Sequence, residues 1–182
     1  MSDKFEQAFH FLLDNEGEFT IDTGGPTKYG VTLTTLRNAK ILTDREYPFG
    51  DFDHDGDIDI DDIRNMTLGD ARILYRSQWW DRYNYDAIED PALAAKVFDF
   101  SVNMGPSAAH KLAQRAVNEL FGIVLKEDGI LGPTTLRRIN ATPDNQMLSE
   151  IRAQAWRYYK RLLAINPDLE LYRNGWRNRA YR

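Results

Sequence analysis

The chain has 182 residues, a mass of 21.1 kDa, 42% apolar and 12% aromatic residues, and a formal net charge of −5. That length suits one domain, or a domain with a small appendage, and the apolar content supports a real core, which excludes disorder. The acidic balance argues against a nucleic-acid partner, and the absence of cysteine excludes a disulfide framework, a thiolate metal site and a cysteine nucleophile.

In chain order, the first segment, Met1 to Gln7, lacks the apolar core of a signal peptide. No stretch approaches the roughly 18 apolar residues of a membrane span. The expectation is a protein made in the cytoplasm, with no membrane insertion. Ser2 is placed to cap a first helix carrying Phe5, Ala8, Phe9, Leu12 and Leu13 on one face and ending near Glu16-Gly17. Residues 18–32 are rich in Gly, Thr and β-branched residues and predict a short hairpin with a turn at Gly24-Gly25-Pro26. Thr32 caps a second helix through Leu36. Thr67-Leu68-Gly69-Asp70 has capping-box spacing and opens a helix through Ile73, Leu74 and Trp79-Trp80. Helices follow over 92–104 and 107–121, divided by Gly105-Pro106. Pro133 starts another through Ile139, and a last long helix covers 145–164. No internal repeat or low-complexity linker interrupts the pattern. The prediction is a mainly α chain with a small β element.

Between the second helix and Thr67 lies Asp51-Phe52-Asp53-His54-Asp55-Gly56-Asp57-Ile58-Asp59-Ile60-Asp61-Asp62. Oxygen-bearing residues at loop positions 1, 3 and 5, glycine at 6, an aliphatic residue at 8 and a carboxylate at 12 form the spacing by which a twelve-residue loop wraps one Ca²⁺. Asp51, Asp53, Asp55 and Asp62 are the expected side-chain ligands, Asp57 lends its carbonyl, and Asp59 reaches the ion through water. Position 12 is Asp rather than the usual Glu of an EF-hand, and in this the loop resembles dockerin repeats. Seven aspartates in twelve residues repel one another unless a cation neutralises them. With a single such loop, the expected role is a structural staple rather than a paired sensor; the competing reading is a solvated acidic loop.

Charge is unevenly spread. Residues 44–70 carry ten acids against Arg45 and Arg64, whereas residues 151–182 carry eight bases against Asp168 and Glu170. A basic carboxy-terminal part is suited to an anionic polymer or surface.

The candidate chemistry lies in residues 16–32. Glu16 follows an apolar helix and precedes a glycine-rich turn, with Asp22 and Thr27 shortly after. Two carboxylates on opposite walls of a cleft are what acid-catalysed glycoside cleavage requires: one donates a proton to the leaving oxygen, the other stabilises the cationic transition state or activates water. Phe11, Leu12, Phe19 and Tyr29 are candidates for the apolar setting that would keep Glu16 protonated. The bland alternative is a glutamate at a helix end beside a turn.

These residues resemble a known family. Asn15-Glu16-Gly17-Glu18-Phe19 followed by Asp22 to Thr32 is similar to the Glu-Gly-Gly-Tyr and Asp-Pro-Gly-Gly-x-Thr-x-x-Gly-Ile-Thr signature of glycoside hydrolase family 108, phage and bacterial N-acetylmuramidases typified by endolysins. Thr67 to Asp81 and Val97 to Gly105 resemble two further family segments, while Asp128 to Thr135 and Gly175 to Arg179 resemble the peptidoglycan-binding part associated with these enzymes. The resemblance implies a lysozyme-like α+β fold with a small β-hairpin near the active site. It implies a lysozyme-type glycoside hydrolase cleaving the β-1,4 bond between N-acetylmuramic acid and N-acetylglucosamine. Glu16 carries over as the catalytic acid, Asp22 and Thr27 as its partners, and Tyr29 as a substrate-binding residue; Asp99 and Asn103, four apart on one helical face, match the family and either bind substrate in the cleft or make buried hydrogen bonds. Glu18 in place of Gly competes as a carboxylate, and the short segment between Phe19 and Asp22 departs from the family pattern. The acidic loop reads as an insertion.

The expected organisation is an active-site lobe over 1–90 and a helical, peptidoglycan-binding-like lobe over 91–182, packed as one unit. The partner is bacterial peptidoglycan, the protein a monomer, and its route to the periplasmic wall a holin-type release in a phage setting. Trp79, Trp80, Phe100, Val102, Met104, Trp156, Tyr158 and Tyr159 are read as core, and His10, His54 and His110 receive no role. Two alternatives stay open: a lytic transglycosylase on the same bond, and a non-catalytic wall-binding calcium module.

Overall fold

The structure, a computed structural model, describes residues 3–15, 20–22, 25–42, 47–122 and 125–182, with the backbone alone at 20–22, 25 and 26. It is mainly helical with one three-stranded sheet, and the chain forms two compact units, residues 1–84 and 85–182.

In the first unit, α1 (Lys4–Leu13) buries Phe5, Ala8, Phe9 and Leu12, the predicted face. Its described cap is Asp3 rather than Ser2, which lies outside the described residues: Asp3 Oδ1 accepts the Phe5 N–H at 3.1 Å. That bond first, and Arg76 second, hold the Asp3 carboxyl below its usual value. The helix ends at Leu13, before the predicted Glu16-Gly17.

The sheet runs β1 (Thr20–Asp22), β2 (Gly25–Lys28), β3 (Val31–Thr32), antiparallel throughout. Thr20 pairs with Thr27, Ile21 with Pro26 and Asp22 with Gly25; Thr27 then pairs with Thr32 and Lys28 with Val31. Gly25 and Pro26 thus belong to a strand, not to the predicted turn at 24–26. Pro26 stands near the start of β2, paired with Ile21 of β1 alone because β3 pairs only with Thr27 and Lys28, a position where the sheet tolerates proline.

Thr32 caps α2 (Leu33–Arg37), accepting the Thr35 N–H at 3.1 Å. Two further helices follow, α3 (Ile60–Asn65) and α4 (Leu68–Tyr75). The predicted box of α4 is complete: Thr67 Oγ1 accepts the Asp70 N–H at 3.2 Å while Asp70 accepts the Thr67 N–H at 3.0 Å. Helix α4 runs into a π-helical turn, Arg76–Asp81, that seats Trp80 edge-on against Phe5 at 5.6 Å. Arg72 with Glu6, and Arg76 with Asp3 at 2.9 Å, tie α1 to this end of the chain.

The second unit is an all-helical bundle. A 3₁₀ turn (Tyr85–Ala87) precedes α5 (Pro91–Met104), α6 (Pro106–Phe121), α7 (Pro133–Asn140) and α8 (Asp144–Ile165). Gly105 adopts φ 87° between α5 and α6, a left-handed conformation that lets Pro106 start the next helix at once. Helix α6 packs on both α5 and α8 through Leu112, Ala113, Ala116 and Val117. The chain continues beyond the helix predicted to be last, through a 3₁₀ segment (Pro167–Tyr172) into α9 (Arg173–Tyr181). Trp176 of α9 stacks on Tyr159 at 5.0 Å and on Tyr172 at 5.6 Å, which is why this polar segment is helical and docked on α8. Of the residues predicted as core, Trp80, Phe100 and Tyr159 are buried, whereas Trp79, Val102, Met104, Trp156 and Tyr158 are only half-buried. Among the described residues no helix is long and apolar enough to cross a membrane.

One buried charge cluster has a thermodynamic signature. The Lys96 ammonium, 1% exposed, lies 3.5 Å from Asp99, donates to the Arg179 carbonyl and sits 4.6 Å from the Phe100 ring centre. Burial lowers its pKa from 10.5 to about 8, against the opposing pull of Asp99. Below pH 8 the amine is charged in both folded and unfolded chains, so its desolvation cost is fully present. Between pH 8 and 10.5 the unfolded chain binds more protons, so stability rises with pH. Lys96→Met should lack this alkaline rise, as read by denaturant unfolding at pH 7.5 and pH 10 on both proteins; identical slopes would contradict the assignment.

Candidate functional site

Of the predicted catalytic residues, Glu16 lies outside the described residues, as does Glu18, and Asp22 is described by its backbone alone. What is described is the frame around them. Asp22 ends β1 opposite Gly25, and Thr27 sits in β2 opposite Thr20. Since facing residues of an antiparallel pair share a side of the sheet and side chains alternate along each strand, positions 22 and 27 fall on one face. Thr27 is half-buried.

Tyr29 and Gly30 make the β2–β3 turn, with Tyr29 at φ 54°, unusual for a non-glycine residue. A buried partner fixes it: the Tyr75 hydroxyl, on a residue 1% exposed, donates to the Tyr29 carbonyl at 3.0 Å. Sequence reasoning placed Tyr75 only within a family-like segment. Leu12, proposed as lining for an apolar pocket, is fully buried in the core of the first unit, and only Phe11 of that pair is half-buried.

The acidic loop is ordered by its own carboxylates. Asp51 Oδ2 accepts the Gly56 N–H at 3.2 Å, Asp53 Oδ1 the Asp55 N–H at 3.3 Å and Asp55 Oδ1 the Asp57 N–H at 3.1 Å. Gly56, at φ 97°, supplies the tight turn expected at position 6. Asp51, Asp53 and Asp55 bring one oxygen each within 4.8 Å of one another, and Asp57, Asp59 and Asp62 do the same. Desolvation first, then the charges of Asp55, Asp62 and Asp51, raise the Asp53 carboxyl above its usual value, while the Asp55 charge is the main cause of the rise at Asp57. His54, at φ 66°, lies flat against Tyr47 with ring centres 4.5 Å apart.

Asp62 is more than a position-12 residue. It is fully buried, and it caps α3 in a reciprocal box with Asp59 that the sequence reading passed over, although Asp-x-x-Asp carries the signal. Its Oδ1 accepts the Phe52 N–H at 2.5 Å and its Oδ2 the Asp59 N–H at 2.8 Å, so one carboxylate closes both ends of the loop. The loop is also fastened outward: Arg37 Nε donates to the Ile58 carbonyl at 2.6 Å, and Lys28 Nζ of β2 donates to the Arg64 carbonyl of α3 at 2.5 Å.

In the second unit the reading of Asp99 as a substrate contact is corrected. Asp99 has no exposed surface and is held between Lys96 at 3.5 Å and Arg179 at 3.4 Å, so a sugar cannot reach it. Asn103, one turn on, is exposed, and its Oδ1 accepts the Tyr159 hydroxyl at 2.7 Å. His110 is likewise structural, bridging the Tyr85 hydroxyl at 2.8 Å and the Gly129 carbonyl at 2.9 Å; burial lowers its pKa, favouring the neutral ring. An open pocket of about 790 Å³ lies on α6 and α8, lined by Arg115, Glu127, Arg157, Lys160 and Arg161 among others. The sequence showed the charge of this segment but not its concave form.

Comparison with known proteins covers almost the whole chain. The family model "Glycosyl hydrolase 108" matches residues 9–105, and the model "Predicted Peptidoglycan domain" matches residues 108–181. No curated protein matches. Among solved structures, the chain is similar to that titled "Structure of Brucella abortus SagA", with a TM-score of 0.71 and 20% identity over 97% of this chain and 88% of that one. That likeness supports the fold, the lysozyme-like α+β class expected from the sequence.

The Tyr75–Tyr29 bond gives a direct check on the frame. Tyr75→Phe leaves the half-buried Tyr29 carbonyl without this donor and should lower unfolding free energy by about 0.5–1.5 kcal/mol, measured by chemical denaturation. An unchanged midpoint would mean the turn is held by something else.

Proposed function

Because the chain belongs to the glycosyl hydrolase 108 family and joins to it a predicted peptidoglycan domain, which makes it a peptidoglycan-degrading glycosidase, we propose that it is an N-acetylmuramidase. Its bond is the β-1,4 linkage from N-acetylmuramic acid to N-acetylglucosamine, and its reaction is hydrolysis. The observation that carries this reading is the family match over residues 9–105, a span that includes Glu16, Asp22 and Thr27.

Glu16 protonates the glycosidic oxygen as the bond from the anomeric carbon to that oxygen breaks, and the N-acetylglucosamine side leaves with a new hydroxyl. Asp22 stabilises the positive charge that develops on the muramic acid ring. Thr27 orients the attacking water, whose oxygen joins the anomeric carbon and whose proton is taken by a carboxylate. The shared sheet face of positions 22 and 27 supports this division of labour. The turn at Tyr29, fixed by Tyr75, borders the same strand. Peptidoglycan strands carry acidic groups, and Lys160 and Arg161 in the α6–α8 pocket suit contact with them, whereas Arg115 and Arg157 there are paired with Glu127 and Glu150.

Purified sacculi test the reading. Wild-type protein should release reducing muramic acid ends, and Glu16→Gln should lower that release by about 10²–10⁴-fold with an unchanged circular dichroism spectrum. Asp22→Asn and Thr27→Ala should reduce turnover more than wall binding. Anhydro-muramic ends, identified by mass spectrometry, would replace hydrolysis with transglycosylation. Glu16→Gln activity above a tenth of wild type would move the acid elsewhere.

A further inference from the structure

We propose that residues 51–62 hold one Ca²⁺, with side-chain oxygens from Asp51, Asp53, Asp55 and Asp62 and the backbone carbonyl of Asp57. The decisive observation is at Asp51. Its side chain is 3% exposed, its Oδ2 is used by the Gly56 N–H, and its Oδ1 is buried with no hydrogen-bond partner among the described residues. An anionic oxygen removed from water and left without a donor is costly, and buried charges persist where they are paired or bind a metal.

Among the described residues, Arg37 is a nearby cation, whose charge acts on Asp57 while its Nε is bonded to the Ile58 carbonyl. Among the described residues Arg64 pairs with Asp61, outside both carboxylate triads, and none of Asp51, Asp53, Asp55, Asp57, Asp59 and Asp62 forms an ion pair with Lys or Arg. A cation is the one partner that satisfies all of them together.

The size of the cage selects the ion. Ca²⁺ binds oxygens at about 2.3–2.6 Å, so ligands on opposite sides of one ion stand near 5 Å apart. The oxygens of Asp51, Asp53 and Asp55 already lie within 4.8 Å of one another and match that sphere; Asp62, which groups with Asp57 and Asp59, has to close on the ion from the second triad. Mg²⁺, at about 2.0–2.1 Å with a strict octahedron, would need a tighter cage and keeps its water. The loop is seated against its neighbours: a notional Cβ on Gly50 would stand 3.0 Å from Ile58 Cδ1 and 3.3 Å from Leu36 Cγ, so the half-buried position-8 aliphatic packs closely over Gly50.

The site reaches the sheet through short links. Asp62 belongs to α3, α3 packs on β2, and Lys28 of β2 donates to the Arg64 carbonyl. Calcium at this loop therefore stiffens the strand that carries Thr27.

Titration calorimetry on chelator-stripped full-length protein tests the site. CaCl2 should bind at about one ion per chain and, at a hundredfold excess over Kd, raise Tm by roughly 5–10 °C, reversed by EDTA. MgCl2 should bind at least tenfold more weakly. Asp51→Asn should weaken Ca²⁺ at least tenfold, and so should Asp55→Asn, an exposed position whose change leaves the circular dichroism spectrum intact. No heat and no Tm shift at millimolar Ca²⁺, equal affinity for Mg²⁺, two ions per chain, or undiminished affinity in both variants would each overturn the proposal. The readouts are binding and melting, so their failure leaves the glycosidase reading standing.

Discussion

Asp62 places a carboxylate where no water reaches it, and the first unit is organised around satisfying that charge. Three backbone N–H groups converge on it, from Phe52 at 2.5 Å, Asp59 at 2.8 Å and, more loosely, Asp53 at 3.4 Å. Hydrogen bonds to a charged acceptor are the strong ones, and a buried carboxylate stripped of them would be severely destabilising. The geometry has consequences beyond the loop. Phe52 and Asp59 are brought to the same side chain, which starts α3, which packs on β2, which pairs with β1 and β3. The strand bearing Thr27 is thus supported from an acidic insertion more than twenty residues away in sequence.

The second unit answers the same physical problem differently. Asp99 is equally buried, but its partners are cations, Lys96 and Arg179, and the arginine comes from α9. The carboxy-terminal helix is therefore held by charge as well as by the Tyr159–Trp176–Tyr172 stack. Breaking a buried pair by removing one side is costlier than the pair is stabilising, so such contacts specify where a helix docks. A short helix as polar as α9 finds its place through this pairing and through one tryptophan.

Much of this was legible in the residues. The helices over 91–104, 106–121 and 144–165 follow from apolar spacing and the Gly105-Pro106 break, α7 from Pro133 at its start, and the Thr67–Asp70 box appears as its spacing demands. Elsewhere local signals competed with tertiary ones. Gly24-Gly25-Pro26 has turn chemistry, yet strand pairing draws Gly25 and Pro26 into β2. Residues 166–181 lack a continuous apolar face, so α9 emerges only when Trp176 meets aromatic partners, although Tyr172, Trp176 and Ala180 at fourfold spacing were a usable hint. Asp99 and Asn103 do share a helix face, but spacing cannot tell a cleft from a core: one is fully buried and the other exposed. For the candidate site, the order Glu16, Asp22, Thr27 was readable in sequence and the register of positions 22 and 27 came only from the sheet.

The claim that Asp62 anchors the first unit is most directly tested by hydrogen–deuterium exchange on Asp62→Asn. The amide keeps the shape but loses the charge and turns one acceptor into a donor facing a backbone N–H. The account predicts that the amides of Phe52, Asp59, α3 and β2 exchange at least tenfold faster than in wild type, while those of α5 and α6 keep their protection. Unchanged protection at Phe52, Asp59 and β2 would contradict it.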